Sequence, residues 1–124
     1  MKPSEIIRGG MKHVEAGWGK GKLQDPQKGN VCAQGGVRLS AFGCATAGNP
    51  LLEIPKLEDF KTVLKAMDAY AQAHGFTSHT HLNDYGQFGL YSTVSDEFGR
   101  RPTTQQDVLT MMEKSAIALE ETGQ

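Results

Sequence analysis

Two residue groups in this chain could do chemistry by type and spacing. Cys32 stands where a helix is expected to start, and a thiol at a helix N-terminus can have a lowered pKa and act as a nucleophile. The four histidines, His13, His74, His79 and His81, are candidate bases. No local signature of a cysteine hydrolase surrounds Cys32, so the preferred reading is a small residue that lets helices approach. The second group is His79 and His81 with Asp84 nearby. On a strand, positions two apart point to one face and could bind zinc or nickel. Three groups in a polar loop are weak evidence, and solvated loop histidines are the preferred reading. No catalytic residue, metal or cofactor is assigned. Asp96 with Arg100 and Arg101 is better read as a turn tie before the last helix than as a site. The sequence Gly19-Lys20-Gly21-Lys22 lacks the spacing and context of a phosphate-binding loop.

The chain has 124 residues, 38% hydrophobic and 22% charged, with net charge −1. These values suit a single domain over 1–124 with one real core. There is no overall basic field, so general nucleic-acid binding is not expected. No apolar run approaches the roughly 20 residues of a membrane span, and the first residues lack a signal-peptide core. The expected location is the cytoplasm. Cys32 and Cys44 on one helix would lie about 18 Å apart, too far for a disulfide.

The expected fold class is mainly α: a compact bundle of about four helices around a central small-residue helix at 30–47. Cys32, Gly36 and Ser40 share one face of that helix, and a small face lets another backbone come close. Gly35, Gly36 and Gly43 each cost roughly 1 kcal/mol inside a helix, a cost that implies close packing. Pro3 to Gly17 reads as the first helix, with Ile7, Met11, Val14 and Trp18 as its apolar stripe and Gly9-Gly10 as a weak point. Trp18 to Asn30 reads as a mobile, solvated loop. Leu57 to His74 is the clearest helix, with acidic residues in its first turn and Gly75 as a left-handed cap. Thr103 to Glu121 closes the chain, with Thr104 and Asp107 spaced as a variant capping box.

The segment 76–98 is expected to be irregular or to hold a short strand near Leu90 to Val94. It is rich in aromatic residues and glycine, and loops of this kind on a rigid base often carry recognition. The candidate binding residues are Tyr85, Gln87, Phe88, Tyr91, Phe98 and Arg100. The alternative is that Phe88, Tyr91 and Phe98 point inward and close the core.

Three motifs suggest a family. Trp18-Gly19-Lys20-Gly21, then Val31-Cys32-Ala33-Gln34-Gly35-Gly36, then Ser95-Asp96-Glu97-Phe98-Gly99-Arg100 with Thr104-Gln105-Gln106-Asp107-Val108-Leu109 and a closing helix through Ala116, resemble a family of small uncharacterised proteins of actinobacteria and their phages. The chain departs from that pattern where Gly36 replaces Ala, Ser95 replaces Asn and Pro102 is inserted before the threonine. The resemblance implies a largely helical fold in an actinobacterial or phage setting, and no activity. Together these readings point to a small non-enzymatic interaction protein, phage-encoded, that binds a host protein or self-assembles. The alternative is a small enzyme or ligand-binding domain using Cys32 and a histidine. A concave pocket holding Cys32 beside a histidine would favour that alternative.

Overall fold

The computed structural model describes residues 1–43, 54–91, 99 and 101–124. The architecture is mainly α. In chain order the helices are α1 (Pro3–Ala16), α2 (Ala33–Phe42), α3 (Ile54–Ala73), α4 (His79–Asp84) and α5 (Gln105–Glu121), with a 3-10 turn at Gln87–Gly89 between the last two. α1 packs against α2 and α5 and also touches α3, while α3 packs on α5 and α4. One apolar cluster joins them. Ile6, Ile7 and Val14 come from α1, Val37 and Ala41 from α2, Phe60, Val63 and Met67 from α3, and Val108, Met111 and Met112 from α5.

The caps explain most boundaries. Pro3 begins α1, where its missing donor costs nothing. Thr104 and Asp107 form the expected capping box. The Thr104 hydroxyl accepts from Asp107 N at 3.2 Å, and the Asp107 carboxylate accepts from Thr104 N at 2.8 Å. Gly75 adopts the left-handed backbone expected after α3.

The central helix is shorter than the span 30–47. Cys32 is its N-cap, and Gly43, in the left-handed region at φ 73°, ends it. Cys44 to Ala47 lie outside the described residues. α3 begins at Ile54, earlier than expected, so Glu58 and Asp59 fall beyond its first turn. The segment 76–98 also differs. Its first part is a fifth, short helix, α4, capped by Ser78, whose hydroxyl accepts from His81 N at 3.2 Å. The expected strand at Leu90 to Val94 falls mostly outside the described residues, and Leu90 itself is extended.

The small face of α2 sits on α1. A Cβ at Gly36 would lie 2.9 Å from the Gly10 carbonyl oxygen, and one at Gly10 would lie 3.0 Å from Val37 N. The two backbones therefore meet, and Gly10 is a contact point rather than a weak point in α1. Gly35 is tighter still. Its Cβ would fall 1.7 Å from the Leu23 carbonyl oxygen.

Candidate functional site

The polar centre of the molecule is Asn83, on α4 and almost fully buried. Its side-chain oxygen accepts from Trp18 Nε1 at 2.9 Å and from Ala33 N at 3.0 Å. Its amide nitrogen donates to Gly19 O at 3.2 Å and to Asp84 Oδ1 at 2.8 Å. All four hydrogen-bonding positions of the side chain are used. Asn83 thus ties together α4, the start of α2 and the 18–30 loop.

That loop lies at the surface as expected, with Gly21, Lys22 and Pro26 to Gly29 exposed, but it is tied down by specific contacts. Val31 forms isolated bridges with Trp18 and with Gln24. Asp84 accepts from Gly21 N at 2.9 Å, and Lys20 Nζ donates to Tyr85 O at 2.6 Å. Asp25 closes a tight turn by accepting from Gln27 N and Lys28 N. Composition does not show these ties because the partners are backbone groups and residues far along the chain.

Cys32 lies in a cleft of about 210 Å³, lined also by Gly21, Lys22, Leu23, Gln34, Thr80 and Asp84. No histidine lines it. The Cys32 sulfur caps α2 by accepting from Gly35 N at 3.4 Å. Burial pushes its thiol pKa up, and the backbone N–H groups of Gly35 and Gln34 pull it down without cancelling that effect. The cleft therefore holds a thiol kept neutral by burial, with no histidine in its lining.

His79 and His81 sit on a helix, not a strand, so positions two apart diverge rather than share a face. Their partners confirm separate duties. Asp68 on α3 accepts from both His79 N, at 2.8 Å, and His79 Nδ1, at 2.6 Å, which clamps α4 to α3. His81 Nδ1 accepts from Thr77 N at 3.0 Å and steadies the turn before α4. No group of three metal-ligating side chains forms among the described residues. Arg101 pairs with Asp107, at 2.8 Å and 3.2 Å, while Asp96 lies outside the described residues. Part burial raises the Asp107 pKa, but the hydrogen bonds from Arg101 and Thr104 outweigh it and hold the carboxyl below its usual value.

The candidate binding residues divide. Tyr85, a candidate binding residue, is buried, at 2% exposure, and so is not available to a partner on the surface. Its ring meets Phe76, His81 and Tyr91 edge to face at 5.1, 5.9 and 5.3 Å. Its hydroxyl donates to Gly99 O, and its carbonyl also accepts from Thr103 N at 3.1 Å. Tyr91 is half-buried against this cluster and belongs with the core. Gln87 is half-buried, its amide close against Gly21. Phe98 and Arg100 lie outside the described residues.

Phe88 behaves differently. It is 87% exposed and holds a left-handed backbone, φ 56° and ψ 24°, the only non-glycine among the described residues to do so. Gly86 and Gly89, also left-handed, flank it. Gly86 N donates to Leu90 O at 3.1 Å and Leu90 N donates to Gln87 O at 3.0 Å, which closes the turn. A Cβ at Gly86 would strike the Pro102 backbone at 2.7 Å, so the turn is pressed against the approach to α5. Leu90, two residues on from Phe88, is 67% exposed. The alternative in which Phe88 points inward does not hold, since its side chain is exposed. The glycines at 86 and 89, bracketing Phe88, were the signal for a projecting turn instead.

No family model, curated protein or solved structure matches this chain. Among the described residues, no helix is long and apolar enough to cross a membrane. Fold and site together define a small helical bundle with a rigid, projecting apolar turn.

Proposed function

We propose that this protein is a small non-enzymatic interaction protein that binds a protein partner through the turn Gly86–Leu90. The observation that carries this reading is the exposed Phe88 side chain on a left-handed backbone. A non-glycine residue in that region costs energy, and such strain persists where the surroundings hold it, commonly at recognition sites. An exposed aromatic, with an exposed leucine two residues on, is the anchor type that dominates protein interfaces. The resemblance to actinobacterial and phage proteins favours a phage-encoded protein working in host cytoplasm. The partner is then a host protein, or a second copy of the chain. The alternative, an enzyme using Cys32 and a histidine, is less supported, because burial keeps the thiol neutral and its cleft has no histidine.

The test compares the wild type with Phe88→Gly. Glycine adopts the same backbone without strain, so the thermal midpoint should hold or rise slightly. Sedimentation velocity of the purified protein reads self-association, and co-purification from host lysate reads a host partner. The variant should lose whichever of the two the wild type shows. A variant that folds and retains full association would remove the turn from the interface.

A further inference from the structure

We draw no further inference here: the strongest candidate, the cleft of about 210 Å³ between the 18–30 loop, the start of α2 and α4, carries nothing because its reactive group is a lone cysteine at a helix start and none of the buried side chains left without a hydrogen-bond partner among the described residues lines it.

Discussion

Asn83 is the residue on which most of the polar order depends. Asn83→Ala would strand the buried Ala33 N–H and the part-buried Trp18 Nε1 and Gly19 carbonyl. A stranded buried group costs about 1–3 kcal/mol, so the substitution should destabilise by roughly 2–4 kcal/mol in urea titration. A change below about 0.5 kcal/mol, the range of a neutral surface substitution, would show that water replaces the amide freely. Cys32 caps α2 one residue before Ala33, whose N–H donates to Asn83. Its raised pKa leaves little thiolate at neutral pH, so it should react with iodoacetamide more slowly than free cysteine. Peptide mapping separates its signal from that of Cys44. A rate equal to or above that of free cysteine would restore the nucleophile reading. Cys32→Ser keeps a side chain that caps the helix and should change stability by less than about 1 kcal/mol.

Among the elements, α2 has the least room. Helix propensity alone says that Gly35→Ala gains about 1 kcal/mol. The Leu23 carbonyl at 1.7 Å from the added carbon says otherwise, because backbone must move. Gly35→Ala should destabilise by roughly 2–4 kcal/mol, and Gly36→Leu by a similar amount through its contact with Gly10. Gly36→Ala should cost less than Gly35→Ala. Thermal midpoints in that order support the packing, and a stabilised Gly35→Ala would refute it. α5 was legible in sequence because its capping box and apolar face are both local. α4 was not. Five of its six residues are polar and the stretch is too short to stand alone; it becomes helical where Leu82 enters the core and where His79 and Asn83 find partners from other elements.

At the scale of the molecule, all five described helices share one apolar cluster, α4 through Leu82, and the lone tryptophan is wired to α4. Trp18 fluorescence therefore reports on the junction of the loop, α2 and α4, while circular dichroism reports on the helices. The two signals should fall together in urea, as a cooperative unit requires. A fluorescence change that precedes the loss of helix would mean that the junction opens independently of the bundle.

Local physics decided the class of this protein. Apolar spacing, caps and chain-breaking glycines act within a few residues, so α1, α2, α3 and α5 could be read from the sequence. The small face around Gly36 was read correctly for the same reason, since its spacing lies on one helix. Tertiary structure alone decided which aromatic residues turn inward. Tyr85 and Phe88 lie close in sequence, in similar polar company. Tyr85 is drawn in because Gly99, Thr103 and Phe76 supply partners from distant parts of the chain. Phe88 stays out, 87% exposed, on the Gly86–Leu90 turn that closes against Pro102.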